Sequence, residues 1–294
     1  MNSDVNVRKI GITTDCVCDL PNSIIEEYGI SMIYFYISTE NGCFKDRKEI
    51  TSDNVLEHLV TGGKKAAADA PPVSEYADFF KRQLRHCSEL IHITISSGVS
   101  HSYANASEAA EQFDGRVHVF DSYHLSTGMG HVVIKACEMR AAGRDIEEIL
   151  TELTAMRECV STSFIAYDTS NLYRNGLVGK TANFFCNILQ LHPVLTMKHG
   201  SMVLQTFKIG NYRRASLRYV RNELKKKGID RTRLLITHAG CSVQTVNMIE
   251  REAEENCSFD EVQVTKASAT ITCNCGGDTF GLLFVRKNDE EEKS

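Results

Sequence analysis

Apolar and polar residues alternate strictly in one segment of the chain, and the pattern there changes abruptly. Ile91, Ile93 and Ile95 alternate with polar residues, which is the two-residue period of a half-buried strand. A serine-rich run over residues 96–100 follows, and apolar residues then recur at helical spacing as far as Ala110. A strand, a hydroxyl-rich turn and the start of a helix are therefore predicted to meet at one place.

The turn at residues 96–100 is a candidate anion site. It gathers hydroxyl groups at the positive end of a helix dipole, and this combination suits a negatively charged group. The simpler interpretation is that Ser100 only caps the helix, a role that serine fills well in any protein. The residues alone leave both interpretations open.

The first half of the chain alternates predicted strands with predicted helices. This order is typical of a parallel sheet with crossover helices. Asp145 and Glu148 form a capping-box pattern at the start of the last helix, and Gly143 suits the end of the preceding one. The predicted strands are 9–14, 30–37, 91–95 and 117–120, and the predicted helices are 52–59, 74–84, one after Ser100, 131–142 and 146–156.

The second half of the chain has a different order of elements. Strands are predicted at 161–167, 192–197, 201–208, 234–237 and 279–285, with covering helices at 212–227 and 243–253. A chain of 294 residues is long for a single hydrophobic core. We therefore predict an α/β fold with an N-terminal parallel-sheet domain over 1–160, a C-terminal α/β or α+β domain over 161–288, and an acidic tail over 289–294.

Composition and charge exclude several classes of protein. A hydrophobic content of 42% and a charged content of 24% are ordinary for a globular protein, and a net charge of −5 argues against nucleic-acid binding. Segment 213–227 is a local exception, with seven Lys or Arg residues against Glu223. Its amphipathic spacing fits either a solvated helix face or a docking surface for an acidic or phosphorylated partner.

The sequence also indicates the cellular location of the protein and whether it binds a metal or a cofactor. It has no leader-like start and no apolar run near the ~20 residues that span a bilayer, so we expect a cytoplasmic protein with no membrane span. Eleven cysteines in apolar surroundings indicate reduced, buried thiols. Pairs at Cys16/Cys18 and Cys273/Cys275 have the wrong spacing for most zinc sites, so we expect no metal and no cofactor.

Aspartates follow two of the predicted strands, at the sheet edge where ligands of α/β proteins bind. Asp15, Asp19 and Asp121 could take part in such a site, or they could only accept hydrogen bonds from turn amides. An enzyme acting on a small acyl or phosphorylated substrate would need a general base there, for which His101 or Asp121 is the candidate. The chain contains no Walker A motif and no complete GxGxxG motif after a strand.

Several motifs together resemble the DegV family of bacterial lipid-binding proteins over nearly the whole chain. Each motif is weak alone, but five occur in the expected order across the sequence. They are GITTDCVCDLP at residues 11–21, SSGVSHSY at 96–103, FDS at 120–122 with Gly128 and Gly130, LQLHPVLTMKHG at 189–200, and GGDTFG at 276–281.

The resemblance implies two α/β domains with a fatty acid between them. In the family the carboxylate is held near the domain junction, and the acyl tail lies in an apolar tunnel of the C-terminal domain. Members present the bound acid to a fatty-acid kinase and do not catalyse the reaction alone. By resemblance we expect a non-catalytic carrier of a long-chain fatty acid or related lipid, with a fatty-acid kinase as its partner.

The chain departs from the family pattern at the expected head-group positions. The family's threonine becomes Ala68, its serine is kept as Ser100, and the glycine after that serine becomes His101. The family's arginine falls at Leu177, which we assign to the lipid cavity, and its histidine becomes Asn274. We therefore expect Ser100, His101, Asn274 and Ala68 at the head group, with Ser97, Ser122 and Gly276 as secondary candidates.

Overall fold

The N-terminal half of the protein folds around a four-stranded sheet. A computed structural model describes residues 8–63, 66–167 and 191–287. The strands are β1 (Arg8–Asp15), β2 (Ser31–Ile33), β6 (Cys87–Thr94) and β7 (Val117–Asp121), in the order β2-β1-β6-β7. Every pair of neighbouring strands in this sheet is parallel, which confirms the prediction made from the alternation of strands and helices.

Helices connect and cover these strands. They are α1 (Asn22–Tyr28), α3 (Val73–Gln83), α4 (Ser102–Ala110), α5 (Ser126–Ala141) and α6 (Ile146–Cys159). The predicted capping box of α6 is present, with the Glu148 amide donating to Asp145 Oδ1 over 2.9 Å. Helix α5 begins five residues before its predicted start, because its first turns are buried on all sides and show no amphipathic period.

The prediction of one strand at 30–37 was wrong. The chain leaves β2 at Ile33 and enters a separate three-stranded sheet made of β3 (Tyr36–Thr39), β4 (Gly42–Lys45) and β5 (Ala67–Asp69), in the order β4-β3-β5. Helix α2 (Ser52–Val60) lies between β4 and β5 along the chain. Both halves of the predicted strand are apolar, so the sequence pattern does not reveal the change of partner.

The C-terminal half is a six-stranded mixed sheet in the order β10-β9-β8-β13-β11-β12. Only the β11–β12 pair is parallel, so this half is α+β, one of the two arrangements predicted. The strands are β8 (Val160–Ile165), β9 (Leu191–Lys198), β10 (Ser201–Ile209), β11 (Ile229–Ala239), β12 (Glu261–Lys266) and β13 (Thr279–Arg286), and the helices are α7 (Tyr212–Leu224), α8 (Val243–Asn256) and α9 (Ala269–Cys275). The sequence analysis missed β12 and α9.

Helix α5 joins the two sheets. It contacts strands of both, and it is buried from Ser126 to Ile134. Gly128 allows the close approach, since a Cβ there would lie 1.9 Å from the Thr162 hydroxyl. Thr127 forms a 2.6 Å hydrogen bond with Thr237 across the same contact. In the part of the chain that the structure describes, no helix is long and apolar enough to cross a bilayer.

Two buried histidines support this contact. His131 Nε2 donates to the Leu283 carbonyl of β13 over 2.9 Å, and His124 Nε2 donates to the Arg157 carbonyl over 2.7 Å. The Thr162 hydroxyl donates to the other ring nitrogen of His124 over 2.9 Å. Burial lowers the pKa of both histidines to about 4, so the folded protein holds them neutral.

We expect the protein to lose stability as the pH falls from about 6.5 to about 4, because only the unfolded chain then takes up protons on His124 and His131. The full effect is about 3 kcal/mol per histidine. Denaturant unfolding at several pH values measures it. His131→Gln keeps an N–H for Leu283 and should reduce the acid sensitivity. An unchanged pH slope in this variant would contradict the assignment.

Candidate functional site

An open-mouthed cavity lies between the two domains. The space between its walls, counted together with the solvent at its open mouth, is about 970 Å³. Apolar side chains from both domains form most of its wall, including Phe35, Ile95 and Leu125 from the N-terminal half and Met202, Ile271 and Phe280 from the C-terminal half. Such a wall suits an apolar ligand.

Three of the predicted head-group residues line this one cavity. Ser100 comes from the loop after β6, Ala68 from β5, and Asn274 from α9. The Ser100 hydroxyl accepts a 3.2 Å hydrogen bond from the Ser102 amide, which leaves its proton free to donate. One Asn274 N–H donates to the Thr270 carbonyl over 2.9 Å. The structure therefore brings together residues that are far apart in the sequence.

The other predicted residues lie elsewhere. His101 is exposed, and it precedes α4 rather than lying in its first turn, so it is not part of the described cavity wall. Ser97 is exposed, and the buried Ser122 hydroxyl donates to the His124 carbonyl within its own turn. Gly276 ends α9 at a φ of 78°. Leu177 and the acidic tail lie outside the described residues.

Two further polar residues face the cavity and were missed by the sequence analysis. Thr270 and His238 line it, and they are only 4% and 8% exposed. Thr270 Oγ1 and His238 Nδ1 have no partner at hydrogen-bonding geometry among the described residues. Thr270 lies in a helix that the sequence pattern does not reveal, so no signal in the sequence points to it. His238 lies near the end of a strand, and that position could have indicated a role for His238 in the site.

The charge state of His238 follows from its surroundings. Burial lowers its pKa, and the nearby Lys266 ammonium lowers it further, so the imidazole is neutral at pH 7. Lys266 itself pairs with Asp53 over 2.9 Å at the surface. The cavity wall thus contributes hydrogen-bonding groups at this point without contributing a charge.

Two aspartates of the N-terminal half hold the start of α9 in place. The Asp46 carboxylate accepts the Ala269 and Thr270 amides over 3.0 and 2.9 Å. Asp19 accepts the Ser268 amide over 2.9 Å and the Ser126 hydroxyl over 2.6 Å. Negative charge at a helix N-terminus is favourable, and it satisfies amides that lack partners within the helix.

Burial has a cost for both carboxylates. It raises the pKa of Asp19 to about 7, although hydrogen bonds from Ser126 and the charge of Arg47 oppose the shift. Burial also raises the pKa of Asp46, and the nearby Thr270 side chain and amides partly offset this. Ionising either carboxylate in this buried position therefore costs free energy, and the hydrogen bonds from the α9 amides offset part of that cost.

Two more aspartates bracket the loop that carries Ser100. Asp15 accepts the Ile95 amide over 2.9 Å and the Ser102 hydroxyl over 2.5 Å. Asp121 accepts the Ser97 amide over 3.2 Å. For Asp15, Asp19 and Asp121 the structure favours the role of turn-amide acceptors over that of ligand-binding groups.

The same loop contacts the C-terminal sheet at the turn between β9 and β10. The Ser96 hydroxyl donates to the Gly200 carbonyl over 2.6 Å. A Cβ at Gly98 would lie 2.3 Å from that same oxygen, so only glycine allows the approach. The position of Ser100 is thus fixed from both domains.

The cysteine pairs resemble buried apolar groups rather than metal ligands. Ten cysteines among the described residues carry thiols, and among those residues no group of three or more candidate ligands is arranged to hold a metal ion. Burial raises the pKa of Cys18, Cys273 and Cys275 to about 12, which keeps them as thiols at pH 7.

Known proteins resemble this chain over almost its full length. The profile of the family described as "Uncharacterised protein, DegV family" matches residues 9–287. A DegV domain-containing protein of Caldanaerobacter subterraneus subsp. tengcongensis is 26% identical over 284 residues, covering 96% of this chain and all of that protein.

Solved structures show the same fold. A DegV family protein from Thermus thermophilus, described as binding fatty acid, superposes with a TM-score of 0.85 at 25% identity and covers 95% of this chain and 100% of its own. A DegV family protein from Eubacterium eligens, loaded with heptadecanoic acid, gives 0.83 at 20% identity with the same coverage. The two-domain α/β architecture is therefore shared with proteins that carry a fatty acid.

Removing the Asp46 carboxylate should destabilise the protein. Asp46→Ala leaves the Ala269 and Thr270 amides buried without acceptors, and we expect a loss of about 2–4 kcal/mol in the free energy of unfolding. Urea denaturation at pH 7 measures it. Asp53→Ala is the matched control, since Asp53 is 65% exposed and its loss should cost less than about 1 kcal/mol. Equal effects of the two substitutions would contradict the role given to Asp46.

Proposed function

The chain belongs to the DegV family, and we propose that it binds one long-chain fatty acid or related lipid in the cavity between its two domains. The observation that carries this proposal is the cavity itself, which is apolar over most of its wall and has a few hydrogen-bonding groups. The fatty acids bound by structural relatives support it. We propose a cytoplasmic carrier that needs no cofactor.

The energetics favour a ligand bound mainly by its tail. Burying an acyl chain gains about 0.8 kcal/mol per methylene, or on the order of 12 kcal/mol for about fifteen of them. Ordering the chain and losing translational freedom cost several kcal/mol of this gain. A single head-group hydrogen bond contributes about 1–2 kcal/mol. The departures at Ala68 and Asn274 therefore retune head-group binding without abolishing the proposed function.

In this proposal the polar residues of the wall bind the head group. Ser100, Asn274 and Thr270 supply donors, and His238 supplies a neutral ring nitrogen. Most other hydroxyls of the wall are already paired, such as Ser126 with Asp19 and Thr237 with Thr127. The four available groups thus define the polar end of the proposed site.

A carrier fits the geometry better than an enzyme. His101 and Asp121, the bases that an enzyme would require, do not line the described cavity wall. Asp121 is occupied by the Ser97 and Tyr123 amides. No specific observation favours catalysis by this chain alone.

We propose further that the bound acid is presented to a fatty-acid kinase. The exposed Ser97, Gly98 and His101 lie on the loop that carries Ser100, so a partner docking there would reach the polar end of the cavity. The basic segment 213–227 is the alternative docking surface. Within this segment Arg221 pairs with Glu252 and Lys226 pairs with Glu223. Part of its positive charge is therefore already neutralised by the protein's own glutamates.

Lipid extraction of protein purified without added lipid should recover a stoichiometric long-chain acyl ligand, which mass spectrometry identifies. Ser100→Ala should weaken palmitic acid binding by roughly 5- to 30-fold, because it removes a hydrogen bond worth about 1–2 kcal/mol. Ser97→Ala is the matched control on the same loop and should leave the affinity unchanged. Recovery of no acyl ligand, with no thermal shift from palmitate or oleate, would refute the proposed function.

Presentation to a kinase is tested with a bacterial fatty-acid kinase and ATP. The loaded protein should yield acyl phosphate, captured as the hydroxamate, and the substitution His101→Glu should slow transfer without changing palmitic acid affinity. Charge reversal of Arg213 and Arg214 is the parallel variant for the basic segment. Transfer that is unaffected by His101→Glu and abolished by the arginine variant would move the docking surface to α7.

A further inference from the structure

The described wall of the cavity carries no formal charge at pH 7. Its lining residues include no Lys, Arg, Asp or Glu, and its titratable members are His238 and Cys275. His238 is neutral because burial and Lys266 lower its pKa, and burial raises the pKa of Cys275 to about 12. A carboxylate anion held there would meet no cation on this wall.

Several backbone amides around the cavity are already occupied by the protein's own carboxylates. At the start of α9 the protein's own carboxylates take them, since Asp46 holds two amides and Asp19 a third. At the loop carrying Ser100, Asp15 and Asp121 take the amides of Ile95 and Ser97. These four aspartates are each at most 7% exposed. The positive end of α9 is thus compensated before any ligand arrives.

The cations near these aspartates are directed away from the cavity. Arg47 donates to the Cys16 and Leu20 carbonyls and to Asn22, and Arg157 donates to the Asp121 carbonyl. Two further basic groups of the described residues are His92, 3.5 Å from Asp15, and Lys266, which pairs with Asp53. None of these basic residues lines the described cavity.

The polar groups that remain free are neutral and can both donate and accept. Thr270 and Ser100 carry hydroxyls, Asn274 an amide, and His238 an imidazole whose Nδ1 is buried without a partner. A carboxylate can only accept hydrogen bonds, so it could use the donors of this set but none of its acceptors. A carboxylic acid or a primary amide presents one acceptor and at least one donor, which matches the set.

We propose that this cavity holds the lipid head group in an uncharged form, so that it binds protonated fatty acids and neutral long-chain amides in preference to carboxylate anions. This inference rests on the proposed function and narrows its ligand class. At the start of α9, the protein's own aspartates occupy the amides that an anion would otherwise have taken.

The test compares palmitic acid with hexadecanamide between pH 6 and pH 8.5. Delipidated protein is titrated with each ligand, and native mass spectrometry of equimolar mixtures checks the ranking. The affinity for palmitic acid should fall about tenfold per pH unit once the acid ionises, because only the protonated form binds. The affinity for hexadecanamide should change much less, and this ligand reports any effect of titrating Asp19 or Asp46 in the protein itself.

A substitution in the wall provides a second test. Ala68→Lys places a cation at the cavity, and it should reverse the preference, so that palmitate exceeds hexadecanamide at pH 8. Ala68→Met is the matched uncharged control and should keep the parent's ranking. Both variants are checked for folding by thermal unfolding.

The outcomes separate the two proposals. Palmitate binding that is at least as tight as amide binding at pH 8.5, or that does not weaken with pH, overturns the neutral head group while leaving lipid binding intact. Failure of both ligands to bind the folded parent protein refutes the proposed function, and this inference with it. An acid affinity that falls with pH beside a steady amide affinity supports the inference.

Discussion

The structure depends on two buried carboxylates that hold one short helix across the domain junction. Asp46 and Asp19 accept the amides at the start of α9, a segment whose threonines and cysteines have little preference for a helix. Local propensity does not account for α9, so its stability comes from this tertiary cap. Since α9 carries Thr270, Ile271 and Asn274, the cap also positions a large part of the cavity wall.

Elements that are fixed by tertiary contacts, as α9 is, are the ones that the sequence pattern could not predict. Strands β1, β6 and β7 could be predicted because apolar residues alternate with other residues along each of them and turn residues follow. The division of residues 30–37 between two sheets could not be predicted, because both parts are equally apolar and differ only in the strands with which they pair. Helix α5 was found but started late, since a helix buried on every side has no polar face to mark its beginning.

The candidate site shows the same limits. Ser100, Ala68 and Asn274 could be placed at one site only through the family resemblance, because no spacing in the sequence relates them. His101 was expected there from its neighbour in the chain, but the backbone turns it outward before α4 begins. Thr270 and His238 were missed because what distinguishes them is a buried polar atom with no hydrogen-bond partner among the described residues. The sequence cannot show this, since it depends on how the chain folds. Aspartates that could have been ligand groups instead accept hydrogen bonds from turn and helix amides near the cavity.

The contacts between the domains determine how the cavity between them can open. The loop at Ser96 and Gly98 meets Gly200, Thr127 meets Thr237, and His131 meets Leu283, so the halves are joined on several sides of the cavity. Swinging the domains apart would break all of these bonds together, at a cost comparable to much of a domain's stability. Exchange through smaller local movements at the mouth is far cheaper. The scaffold therefore favours slow exchange of any molecule held in this cavity.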